Sequence, residues 1–139
     1  MTNPFVGSWT YRSLNNDPDL QTAFNDLEFG IGTLVIAETG PAALGGTIGG
    51  PGWSLALRGS FGFGSPMQVR FQGKGTVGGE EWIYDYIAWL VPVWPSSTDA
   101  QQVPAFVGSV TRTRSASHTV EGPLPSRHWT RAAICPSVS

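Results

Sequence analysis

Tyr84, Asp85 and Tyr86 stand in a row inside an apolar, aromatic stretch, Trp82-Ile83-Tyr84-Asp85-Tyr86-Ile87-Ala88-Trp89-Leu90-Val91, and Asp85 is its only acid. Two phenols and a carboxylate in such surroundings can do two kinds of work. Buried, the carboxylate would have a raised pKa and could serve as a general acid or base. Otherwise the phenols orient a bound molecule by hydrogen bonding, and Asp85 is an ordinary rim or interface carboxylate. Other reactive side chains are scattered. His118 lies in a Ser-Ala-Ser-His segment and His128 beside Trp129, and no His, Cys or Glu spacing matches a metal site. Glu80 and Glu81 read as a solvated hairpin end. There is no Gly-x-Ser-x-Gly elbow and no glycine-rich phosphate loop opening a helix; Gly45-Gly46 and Gly49-Gly50 read as turns. The single Cys135 has no partner for an internal disulfide and falls in a Pro- and Ser-containing tail, 135–139. No cofactor is implied.

Strands must position these groups, because helical periodicity is almost absent. Eight runs of alternating or β-rich residues recur between Gly, Pro, Asn and Asp punctuation: 5–13, 27–38, 42–49, 53–61, 67–77, 82–91, 103–114 and 127–134. Most links are short, such as Thr39-Gly40-Pro41, Gly50-Pro51-Gly52 and Gly78-Gly79-Glu80, so successive strands should be antiparallel neighbours. An open sheet of this size exposes two edges, and closure removes them. The expectation is one all-β domain over 1–139, an eight-stranded antiparallel up-and-down barrel. Asp17-Pro18-Asp19 reads as an N-cap, an N1 proline and a first-turn acid, predicting a short lid helix over 17–24. Stretches 92–102, with Trp94-Pro95, and 115–125 read as loops.

Alternation then assigns faces. Trp9 inward takes Gly7 and Tyr11 with it. Trp53, Leu55, Leu57, Gly59 and Phe61 share one face, against Ser54, Ala56, Arg58 and Ser60; Val69 and Phe71 face in, and so do Phe106, Gly108 and Val110. Gly7, Gly59 and Gly108 either leave room inside or relieve crowding where strands bend. The run 82–91 is apolar on both faces. In one register Trp82, Tyr84, Tyr86 and Leu90 point inward, leaving Ile83, Ile87, Trp89 and Val91 as an external stripe for a partner subunit. In the other, Asp85 is buried among Ile83, Ile87 and Trp89. The first is preferred.

Gly7-Ser8-Trp9, followed by Tyr11, resembles the Gly-x-Trp signature that opens the calycin barrels, meaning lipocalins, avidins and fatty-acid-binding proteins. The resemblance implies a calycin- or streptavidin-like barrel in which Trp9 plugs the closed end and a cation from the last strand packs across it. Arg131 is the first candidate for that cation, with Arg112 and Arg114 behind it. With the plug at one end, Tyr11, the 17–24 segment and the ends of later strands gather at the other. Tyr11, Trp53, Tyr84, Tyr86, Arg112 and Trp129 are the expected ligand wall. Barrels of eight strands are either filled by side chains or hold one small ligand.

Charged residues make up 13% of the chain, about half the usual share, and the formal net charge is -2. That balance offers no basic footprint for nucleic acid. The start, Met1-Thr2-Asn3-Pro4, is unlike a secretory signal, and no apolar run is long enough to span a membrane, so a cytoplasmic location is expected. The functional expectation is a homo-oligomeric barrel binding a small apolar or aromatic molecule. The alternative is a cofactor-free cyclase, isomerase or lyase using Asp85, Tyr84 and Tyr86, and a filled, purely structural barrel is the third.

Overall fold

In the computed structural model, which describes residues 3–91, 104–113 and, as backbone, 130–136, the chain is an all-β, antiparallel, up-and-down barrel. Strands β1 (Gly7–Asn15), β2 (Glu28–Gly40), β3 (Ala43–Gly50), β4 (Trp53–Gly62), β5 (Gln68–Val77), β6 (Glu80–Val91) and β7 (Ala105–Thr113) pair in chain order. The backbone of β8 (Thr130–Pro136) runs antiparallel to both β7 and β1. Cys135 and Pro136 thus belong to a strand, opposite Thr10 and Trp9, rather than to a tail, because β8 must extend that far to pair with the start of β1. No helix among the described residues is long and apolar enough to cross a membrane.

Alternation decides what is inside. Trp9, Tyr11, Leu34, Ile36, Leu55, Leu57, Val69, Phe71, Phe106 and Val110 are buried, while their neighbours Ala56, Arg58, Arg70 and Val107 are exposed. Strand β6 adopts the first of its two possible registers. Tyr84 and Ala88 are buried, Trp82, Tyr86 and Leu90 pack against the core, and Asp85 is exposed. Ile83 and Ile87 are half-buried on the outer face, and Trp89 beside Val107 is exposed there.

One end of the barrel is shut by aromatic packing. The Trp9 ring meets Phe106 edge-on at 4.5 Å, and Phe106 meets Phe5 edge-on at 5.7 Å. The indole Nε1 of Trp9 donates to the Phe5 carbonyl at 2.9 Å, so its one polar atom is satisfied inside the core. Phe5 is completely buried and is held by Asn3, whose side-chain oxygen accepts from the Phe5 N–H at 3.0 Å. The side chain of Arg131, the cation expected to pack on Trp9, lies outside the described residues. Near this end Gly59 and Gly108 relieve crowding and leave no free space. A Cβ at Gly108 would overlap the Ile87 carbonyl, and one at Gly59 would overlap that of Arg70.

The expected helix over 17–24 does not form. Asp17 Oδ1 accepts from the Asp19 N–H at 2.9 Å, as an N-cap would, but Asp19 Oδ1 then accepts from the Gln21 N–H at 2.9 Å. Two successive side-chain bonds to backbone N–H groups hold the chain in turns, the usual competition of Asp with helical pairing. A single 3-10 turn follows at Phe24–Leu27. It is tied to the outer side of β1 through Arg12, whose guanidinium lies 4.9 Å from the Phe24 ring centre and donates to Asn25 Oδ1 at 3.3 Å.

Replacing Trp9 by Ala should destabilise the barrel by about 3–5 kcal/mol, the range for deleting a buried large aromatic. Guanidinium denaturation measures it. A loss below about 1 kcal/mol would show that the closed end does not hang on this ring.

Candidate functional site at the barrel mouth

At the end opposite the plug, the described residues line a cavity of about 200 Å³. Tyr11 and Ser13 reach it from the end of β1, Phe29 and Gly30 from the start of β2, Trp53 and Leu55 from the start of β4, and Trp82, Tyr84 and Tyr86 from the start of β6. These strand ends converge because the meander alternates direction: odd strands finish, or even strands begin, at the same rim. Toward the plug the interior narrows to a void of about 10 Å³ among Leu34, Ile48, Leu57, Phe71 and Phe106, little more than space for one water.

The walls are a chain of rings set mostly edge to face. Trp53 meets Tyr11 at 6.2 Å, Tyr11 meets Tyr86 at 6.3 Å, Tyr86 meets Tyr84 at 6.4 Å, and Tyr84 meets Trp82 at 6.1 Å. Such pairs fix one another's orientation and preserve open ring faces. Burial pushes the Tyr11 hydroxyl up to about 12, against smaller opposing effects of the hydroxyls of Ser13 and Tyr86. Burial drives Tyr86 up further, helped by its phenolic neighbours. Tyr84 is raised by burial too, with the Arg112 cation acting in the opposite sense. All three phenols are therefore neutral hydrogen-bonding groups at ordinary pH.

Four of the six expected wall residues, Tyr11, Trp53, Tyr84 and Tyr86, come together here. Arg112 stands at the rim, cross-strand from Tyr84, with its side chain half in solvent. Its guanidinium lies 5.1 Å from the Trp82 ring centre and 4.0 Å from Glu80. Trp129 lies outside the described residues. Of the three groups considered for catalysis, Tyr84 and Tyr86 enter the cavity and Asp85 does not. Strand parity turns Asp85 outward, where Gln72 Nε2 donates to it at 3.5 Å. Among the described residues, the lining includes no carboxylate, imidazole or thiol. The arrangement can stack a flat molecule, donate hydrogen bonds to it and exclude water.

Phe29 was not foreseen. By parity it should share the outer face with Ile31. A register shift, which pairs Ser13 with Gly30 but Leu14 with Glu28, leaves Phe29 as the extra residue of a bulge. Bulges re-aim side chains in this way, and the Phe29 ring sits 6.5 Å from Tyr84 at the mouth. Trp82 was read as inward but not as a wall residue; its buried Nε1 has no hydrogen-bond partner.

The raised phenols predict a stability that depends on alkaline pH. Tyr11 ionises near the ordinary value of 10 when unfolded and near 12 when folded, so the folded state holds its proton longer. Its contribution is complete below about pH 10 and is lost as pH rises through about 12. Between about pH 9 and 11, Tyr11 alone should remove roughly 1–1.5 kcal/mol. Denaturation at both pH values should show a smaller drop for Tyr11→Phe than for the native chain, whereas equal drops would contradict the burial of this hydroxyl.

No known protein family, curated protein or solved structure matches the chain.

Proposed function

We propose that the protein is a calycin-type binder, an eight-stranded barrel that holds one small, largely apolar aromatic molecule in its mouth cavity. The observation that carries this reading is the contrast within one interior. The plug end is packed to a remnant of about 10 Å³, while the mouth keeps about 200 Å³ behind six aromatic residues. Protein interiors ordinarily close such voids. The backbone pairing of β8 with both β7 and β1 supports the eight-stranded form, and Trp9 is buried where the calycin plug would sit. A dry cavity of about 150 Å³ accepts benzene, so the mouth suits one ring or two fused rings. Catalysis through Asp85 gains no comparable support, because that carboxylate is on the other side of the sheet from the phenols.

Naphthalene, followed by quenching of tryptophan fluorescence, is a suitable first probe because Trp53 and Trp82 form part of the wall. Saturable binding with a dissociation constant of about tens of micromolar is expected for a ligand of this size. Leu55→Trp, which fills the cavity from β4, should abolish it. Absence of saturable binding, or identical binding by this variant with its fold intact, would defeat the proposal.

A further inference from the structure

We infer that the ligand is a planar aromatic acid whose rings occupy the mouth cavity and whose carboxylate is met at the rim by the Arg112 guanidinium. This inference rests on the mouth cavity being a binding site.

Strand parity puts Arg112 in this place. On β7 the inward positions are Phe106, Gly108 and Val110, and both Phe106 and Val110 are buried. Arg112 is the next inward position, one step beyond Val110 and directly across from Tyr84 on β6. The other cations of the described strands, Arg12, Arg58, Arg70 and Lys74, alternate with inward residues such as Tyr11, Leu57 and Phe71 and so face outward. A strand with an apolar inner face thus ends, at the mouth, in a guanidinium. Its side chain is 53% exposed, so the charge keeps much of its water and no buried ion is created.

The guanidinium is also held against the cavity wall. It lies 5.1 Å from the centre of the Trp82 ring, and that ring lines the cavity. Stacking on an aromatic face sets the plane of a guanidinium and leaves its N–H edge free for a carboxylate. Its charge reaches the same wall: burial raises the pKa of Tyr84, and the Arg112 cation acts against that rise. Among the described residues its carboxylate partner is Glu80, at 4.0 Å and with a side chain 76% exposed. A charge-assisted hydrogen bond spans roughly 2.7–2.9 Å. Glu80 therefore leaves Arg112 with donors for a second carboxylate.

A flat acid uses both features at once. Its rings leave water for the aromatic wall, while a carboxylate on the ring edge stays at the rim, where an ion loses less of its hydration than it would inside. The planar guanidinium can take that carboxylate through two parallel hydrogen bonds.

Three probes with the same fused rings separate the contributions: naphthalene; 2-naphthamide, a neutral amide; and 2-naphthoate, its carboxylate counterpart. Calorimetry on the full chain at low salt should find the carboxylate about tenfold tighter than the amide, the worth of a charge-assisted hydrogen bond at a half-exposed site. Raising sodium chloride to about 0.5 M should close most of that gap, because exposed charges are screened, and this readout needs no variant. Naphthoate should also displace naphthalene, as expected for one shared site. In Arg112→Gln the ratio of carboxylate to amide affinity should fall to about one, and in Glu80→Gln, which removes the competing carboxylate, it should rise by about two- to threefold. Naphthoate binding no tighter than the amide, a preference that survives in Arg112→Gln, or naphthoate binding without displacement of naphthalene would overturn the inference while leaving the cavity as a binding site. Failure of all three probes to saturate would overturn the binding reading itself, and this inference with it.

Discussion

Two-fold alternation in a closed antiparallel sheet is the constraint from which the rest of this structure follows. Every second residue of each strand must enter an interior whose width is set by the strands around it. What those residues are therefore decides, level by level, whether the barrel is solid or hollow. On β4 the inward series is Trp53, Leu55, Leu57, Gly59 and Phe61, and on β6 it is Trp82, Tyr84, Tyr86, Ala88 and Leu90. The same parity expels Asp85 and Arg58. One rule thus gives the core its hydrophobicity and turns Asp85 and Arg58 to the outer face.

The two ends use aromatic residues differently. At the plug, Phe5, Trp9 and Phe106 pack ring against ring, and the indole hydrogen bond to Phe5 leaves no polar atom unsatisfied. The segment before β1 contributes to this closure through Asn3, which holds Phe5 and also donates to Glu38 at 3.1 Å. At the mouth, rings of the same kind stand apart by 6.1–6.5 Å and surround space. Burial raises the pKa of the Tyr11, Tyr84 and Tyr86 hydroxyls, and the Arg112 cation stands at the rim. Dense packing at one end and an aromatic-walled cavity at the other are the features on which the proposed binding role rests.

Much of this was legible in the sequence because its physics is local. Alternation placed the faces of β4, β5, β6 and β7, and it put Tyr11, Trp53, Tyr84 and Tyr86 toward one interior. Short glycine-containing links made the up-and-down order readable. The misses arise where one residue changes the count or where two local preferences compete. Phe29 owes its place to a bulge, and nothing in Glu28-Phe29-Gly30 signals that the register slips there. Asp17-Pro18-Asp19 satisfies the rules for a helix start, yet Asp19 captures the Gln21 N–H and the helix is lost. Gly59 and Gly108 could have meant space or close approach, and only the position of the facing carbonyls decides for close approach. The missing partner of Trp82 Nε1 is likewise a property of packing that no sequence pattern encodes.

The central proposal is that one interior is packed solid at the plug and keeps a cavity at the mouth, and that this cavity is where a ligand binds. Anomalous diffraction from crystals soaked in bromobenzene, a ring small enough for the cavity, tests it most directly. The account predicts a bromine peak enclosed by Tyr11, Trp53, Tyr84 and Tyr86, with none among Leu34, Ile48, Leu57 and Phe106. Bromine found only on the outer face beside Trp89 and Val107, with none inside the barrel, would contradict it.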